Sequence, residues 1–172
     1  VIVFTVGHGT RELEELASVL KAAKVELLVD VRRFPASRRH PHFSRESLEI
    51  SLPEMGLRYE WREAFGGRRK PAADSPNVAW RNDAFRGYAD HMRSPEFREA
   101  LDRLKDGAAK GPTAVMCAET LWWRCHRRLI ADALVAGGAE VVHLGMGRDD
   151  RHKLNQAARI DPDGLLVYDV ES

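Results

Sequence analysis

The 172 residues are one domain's worth of chain, and 44% hydrophobic and 31% charged residues with 13 Gly and 8 Pro describe a globular protein with a core to bury. Collagen-like, low-complexity and disordered classes are excluded, and the apolar stretch Val1 to Val6, broken by Thr5, is too short and lacks the basic flank for a bilayer span or an export signal. The formal charge of +1 conceals a bias: 21 of the 27 basic residues are Arg, the better fork for phosphate and carboxylate, although genome composition produces the same bias.

Ile2, Val3, Phe4 and Val6 predict a strand ending at Gly7-His8-Gly9-Thr10, after which Thr10 caps a helix over 11–23 whose Leu13, Leu16 and Leu20 share one face. Val25 to Val31 reads as a second strand, which makes a βαβ unit with parallel strands. Ser44 starts a short helix through Leu52, stopped by Pro53, and Leu57 to Trp61 alternates as a strand. Residues 62–82 carry Gly66-Gly67, Pro71 and Pro76 without an apolar period and predict a long loop. Helical spacing returns at Phe85, Tyr88 and Met92, and Ser94-Pro95-Glu96 opens a helix that Gly107 is expected to stop. Thr113 to Ala118 predicts a strand, 124–136 a helix, and Glu140 to Leu144 another strand. Residues 146–163 read as loop, and Leu165 to Tyr168 as a last strand. The whole chain, 1–172, is expected to be a single three-layer α/β domain with a mostly parallel sheet flanked by helices.

Ligands of parallel sheets bind beyond the carboxyl ends of the strands, which selects three segments. In the first, Gly7 and Gly9 let backbone approach a ligand near a helix N-terminus, and His8 is either a base, a donor to phosphate, or a turn residue. No third glycine completes a dinucleotide fingerprint. The second, Val31 to Arg45, holds Arg32, Arg33, Arg38, Arg39 and Arg45 with no acid, interleaved with Phe34, Phe43, His40 and His42. Either these charges pair with acids elsewhere, or they hold phosphates while the rings stack on bases. Asp30 is a functional carboxylate or an ion-pair anchor for Arg32.

The third segment sets Cys117 and Glu119 at a strand end and Cys125 and His126 in the first turn of the next helix, on its sheet-facing side. A thiolate would be stabilised there, although a buried cysteine that simply packs is the commoner case. Two cysteines make no disulfide framework. Metal binding is not expected, because Cys117, Cys125, His126 and His8 lack paired ligand spacing. Arg124 stands one position too far from Cys117 for a cysteine-phosphatase loop.

Together, TVGHGT, LLVDVRRFPASRRHPHFS, FGGRRK, GYADHM and MCAETLWWRCHRRLIADAL resemble the DUF488 family, small bacterial and archaeal α/β proteins, over residues 3–145. The resemblance implies the fold and a motif map at His8, Thr10, Asp30, Arg32, Pro35, Ser37, Arg38, Gly66, Gly67, Tyr88, Cys117, Glu119, Cys125, His126 and Arg127, with no gross departure. It implies no substrate and no cofactor.

The first functional expectation is a domain that processes a nucleotide or nucleic acid by base excision or bond cleavage. Asp30, Glu119 and His8 supply acid/base chemistry, and Thr10, Arg32, Arg38, Arg39, Tyr88 and Arg127 bind substrate, with help from Arg68-Arg69-Lys70. The alternatives are a thiol enzyme or redox sensor using Cys125, Cys117 and His126, and a non-catalytic module for a phosphorylated ligand. No cofactor and no membrane partner is expected, the location is expected to be cytoplasmic, and the oligomeric state is open. Trp122 and Trp123 read equally as a lid, an interface or packing.

Overall fold

The apolar runs become strands whose period-two alternation sends successive side chains to opposite sheet faces. The structure, a computed structural model, describes residues 1–170. Its strands are β1 (Ile2–Gly7), β2 (Leu27–Asp30), β3 (Arg58–Trp61), β4 (Thr113–Cys117), β5 (Glu140–His143), β6 (Asp150–Arg151), β7 (Ala158–Ile160) and β8 (Leu166–Tyr168). The helices are α1 (Leu13–Ala22), α2 (Arg45–Glu54), α3 (Asp83–His91), α4 (Pro95–Lys110) and α5 (Arg127–Ala136).

Six strands form one sheet in the order β3-β2-β4-β1-β5-β6, parallel except for the β5/β6 pair. Both predicted βαβ units exist with an intervening strand: β4 lies between β1 and β2, and β1 lies between β4 and β5. Val6, Leu28, Ala114 and Met116 pack with Leu16 and Leu20 of α1 and Leu48 and Leu52 of α2 on one face. Val3, Val29, Val115, Cys117 and Val141 pack on the other with Tyr88, Phe97, Leu104, Leu129 and Ile130 from α3, α4 and α5. Two cores on one sheet are the expected three layers, each buried leucine contributing about 1.5–3 kcal/mol.

Several boundaries differ from the sequence reading. Helix α1 starts after Glu12 rather than Thr10, with the Glu15 carboxylate accepting from the Glu12 peptide N–H at 3.3 Å. Arg11 stays outside because its guanidinium donates to the carbonyl of Gly145, beyond β5. Helix α2 absorbs Pro53 in its last turn, and α4 runs through Gly107 to Lys110 before ending at Gly111-Pro112. The region expected to be loop at 146–163 contains β6 and β7, and β8 pairs with β7 in a separate hairpin. A 3-10 turn at Trp122–Arg124 delays α5 to Arg127. No helix of the described residues is long and apolar enough to cross a membrane.

Candidate functional site

Beyond the carboxyl ends of β1, β2 and β4, the three selected segments enclose one cavity of about 790 Å³. Its floor is closed because β1 ends in glycine: a Cβ on Gly7 would lie 1.9 Å from the Glu119 carbonyl oxygen, so only glycine lets the loop after β4 cross there. His8 and Gly9 then donate from their peptide N–H groups to the carbonyls of Cys117 and Ala118, both at 2.9 Å.

Cys125 stands at the positive end of α5, where its sulfur accepts the Arg127 peptide N–H at 3.5 Å. His126 Nε2–H donates to the Val31 carbonyl at 2.8 Å, which leaves the Nδ1 lone pair facing Cys125 Sγ at 3.4 Å. Burial lowers the pKa of His126 and keeps its imidazole neutral. Gly67 makes room for this ring, since a Cβ there would stand 3.1 Å from Nδ1. The neighbouring Cys117, outweighing the effect of burial, together with the Arg127 peptide N–H and charge, lowers the pKa of Cys125. Cys117, buried deeper, is pushed up and keeps its proton.

Asp30 resolves as the ion-pair anchor. It is fully buried and accepts Arg32 Nε at 2.9 Å, Arg32 Nη2 at 2.6 Å, the Arg32 peptide N–H at 3.1 Å and the Tyr59 hydroxyl at 2.5 Å. Both oxygens are occupied and away from the cavity, which withdraws Asp30 as the acid or base. Held this way, Arg32 also donates to the Phe43 carbonyl and turns Nη1 toward His8 Nε2 at 3.4 Å. His8 Nδ1–H is committed to the Gly9 carbonyl, and burial lowers the His8 pKa to about 4, so His8 is neutral and occupied at both nitrogens.

The arginine segment divides. Arg45 pairs with Glu49 and stacks on Trp61 away from the cavity. Arg32, Arg33, Arg38, Arg39, Arg68 and Arg124 line the cavity, against Glu119 as its single carboxylate. Among the described residues, Arg38, Arg39, Arg68 and Arg124 have no carboxylate within ion-pair distance. Phe34, 61% exposed at the mouth, has the Arg33 and Arg68 guanidiniums at 5.5 and 5.8 Å from its ring. Phe43 is no base-stacking residue: it is buried and stacks on His8 at 4.4 Å. His40 lines the cavity, whereas His42 donates to the Arg11 carbonyl.

His8, Thr10, Glu119, Cys117, Cys125 and His126 line the cavity. Two expected substrate ligands do not. Tyr88 is fully buried with its hydroxyl donating to Phe65, so it sits behind His126, ring to ring at 5.0 Å, and holds the Gly66-Gly67 segment. Arg127 lies beneath the floor. Arg69 donates to the Gly66 and Glu63 carbonyls and also stays out. Trp122 packs flat on His143 at 4.5 Å, and Trp123 stands against it, 45% exposed. Thr120, whose hydroxyl faces Gly9, carried no sequence signal beyond its place after Glu119.

A comparison with protein-family models matches residues 12–134, well over half of the chain, to the domain of unknown function DUF488. The chain belongs to the DUF488 family. The matched span holds the β2, Gly66-Gly67 and β4 segments of this DUF488 protein, while the Gly7 to Thr10 loop lies just before it. No curated protein and no solved structure matches the chain.

Proposed function

We propose that this DUF488 protein is a thiol-dependent enzyme acting on a small phosphorylated or otherwise anionic substrate. The Cys125/His126 pair beneath the arginine rim carries the reading: a sulfur 3.4 Å from an imidazole nitrogen whose tautomer is set by the Val31 carbonyl. In the reaction the S–H proton of Cys125 passes to His126 Nδ1, and the sulfur forms a bond to an electrophilic carbon of the substrate as the leaving group departs. Arg38, Arg39, Arg68 and Arg124 hold the anionic end. A concave cavity of about 790 Å³ suits a small molecule better than a polymer.

The test is the alkylation rate of Cys125 by iodoacetamide across about pH 6 to 9, followed by peptide mass spectrometry. The expected result is modification near neutral pH faster than a free thiol of ordinary pKa, slowed by inorganic phosphate and lowered about tenfold or more in His126→Ala. A rate no greater than that of free cysteine at every pH removes the thiol reading.

A second reading, nucleotide- or nucleic-acid-directed processing, is supported by Phe34, an exposed ring between two guanidiniums at the cavity mouth. Its carboxylate chemistry falls to Glu119 alone, because Asp30 is occupied. Binding of a nucleotide with turnover unaffected by Cys125→Ser favours this reading, and binding without any turnover favours a ligand-binding module.

A further inference from the structure

Four consecutive peptide carbonyls at the end of β4 are taken up by named donors. His8 and Gly9, in the loop after β1, donate from their peptide N–H groups to the carbonyls of Cys117 and Ala118, both at 2.9 Å. The buried Arg127 takes the next two, its Nη2 donating to Glu119 and Thr120 at 3.1 and 3.0 Å. In a planar trans peptide the N–H points opposite to its C=O, so the N–H groups of Ala118, Glu119, Thr120 and Leu121 all face away from those donors. Of the four, only that of Leu121 meets an acceptor among the described residues, and the acceptor is an anion, the Glu119 carboxylate at 3.3 Å. The residues that carry the other three line the cavity.

We propose that this loop is an amide cradle for a phosphoryl group, the N–H groups of Ala118, Glu119 and Thr120 donating to its terminal oxygens and Arg127 acting as a positioning residue that holds the cradle from below. The proposal rests on the reading of the cavity as the site of an anionic substrate, and it names the anion. Successive peptide N–H groups on one side of a loop form an anion-binding concavity. Three donors match the three oxygens of a phosphoryl group, whereas a carboxylate offers two. Arg38, Arg39, Arg68 and Arg124 line the same cavity without a carboxylate in ion-pair reach among the described residues, and supply the balancing charge.

The glycines after β1 acquire a second reason from the cradle. A Cβ on Gly7 would collide with the Glu119 carbonyl oxygen, and one on Gly9 with the Thr120 hydroxyl, so a side chain at either position drives the loop off its donors. Arg127 is buried because its two carbonyls lie under the loop. A cation in the first turn of α5 opposes the helix dipole, and two charge-assisted hydrogen bonds offset that cost. The Glu119 carboxylate keeps to the fourth N–H and leaves the other three for a ligand.

The experiment follows the backbone amide resonances of the isotope-labelled protein as inorganic phosphate is added, with acetate at matched ionic strength as the carboxylate control. The expected result is a saturating downfield shift of the Ala118, Glu119 and Thr120 N–H signals with phosphate and little response to acetate. Phosphate binding that moves the arginine side-chain signals and leaves these three amides unmoved overturns the cradle alone, and an equal response to acetate overturns the phosphoryl assignment. No phosphate binding at all removes the anionic reading with it. Alkylation of Cys125 in the same samples reports on the thiol separately, so an ordinary thiol rate beside shifted amides keeps the cradle and removes only the thiol chemistry.

Arg127→Met and Arg127→Lys test the positioning role. With the Glu119 and Thr120 carbonyls released in the methionine variant, the phosphate concentration at half-saturation rises about tenfold or more, and the lysine variant, whose ammonium still donates to carbonyls, recovers part of the loss. Equal half-saturation in all three proteins overturns that role. If the methionine variant does not fold, the titration of the wild-type protein decides the cradle by itself.

Discussion

His8 shows at the scale of one residue how a side chain that lines the cavity also bears on stability. Only 4% exposed and stacked on Phe43, it has a folded pKa lowered to about 4, against 6.5 in the unfolded chain. Between those values the unfolded chain binds a proton that the folded protein refuses, so stability falls as pH drops through that window. About 2 kcal/mol is expected to be lost from pH 7 to pH 5 on this account, read as the urea midpoint, and His8→Gln reduces the loss. Equal losses in the two proteins would clear His8 of the effect. His143, also held neutral by burial, leaves the variant some acid sensitivity of its own. The sequence marked His8 as a base because a histidine between two glycines at a strand end is compatible with that role. Its Nδ1 is taken by the neighbouring Gly9 carbonyl, but its Nε2 faces Arg32, which is 24 positions away, so no local pattern could show that contact.

At the scale of elements, the end of β2 carries the largest local commitment. Asp30 is the sole acid partner of Arg32 among the described ion pairs, and it also takes the Tyr59 hydroxyl from β3. Asp30→Ala leaves a buried cation unpaired and is expected to cost about 3–5 kcal/mol. Ser94→Ala, which removes the hydroxyl that accepts the Phe97 N–H at the start of α4, is expected to cost about 1 kcal/mol. Denaturant midpoints check the ranking, and a loss at Asp30 no greater than at Ser94 would show that the pair is replaceable. The cap at Ser94 was legible because capping is decided by neighbours in sequence. The boundaries missed, at Thr10 and at the start of α5, were moved by contacts from distant loops.

Across the whole molecule, the charge is nearly balanced while the cavity is not, with six arginines against one carboxylate. Arg38→Ala/Arg39→Ala is expected to weaken binding of a labelled nucleotide roughly tenfold or more, each lost contact being a charge-assisted hydrogen bond. For a single-stranded oligonucleotide it is expected to reduce the slope of log affinity against log salt by about 1.4, since two phosphate contacts are removed. Fluorescence anisotropy at two salt concentrations measures both. Unchanged affinity would assign these two arginines to solvent rather than to a ligand.

Alternating apolar runs, helical periods and punctuating Gly and Pro determined from sequence alone that the chain is a three-layer α/β protein, because each is a short-range preference of the backbone. The topology rule places the cavity among the strand ends, where its lining residues lie. Only the tertiary structure decided that β1 lies between β4 and β5, that Asp30 is ion-paired with Arg32 away from the cavity, and that Tyr88 and Arg127 are buried outside its lining. These depend on which strands pair and which groups face one another across the sheet, and a buried charge acquires its meaning from partners that are distant in sequence.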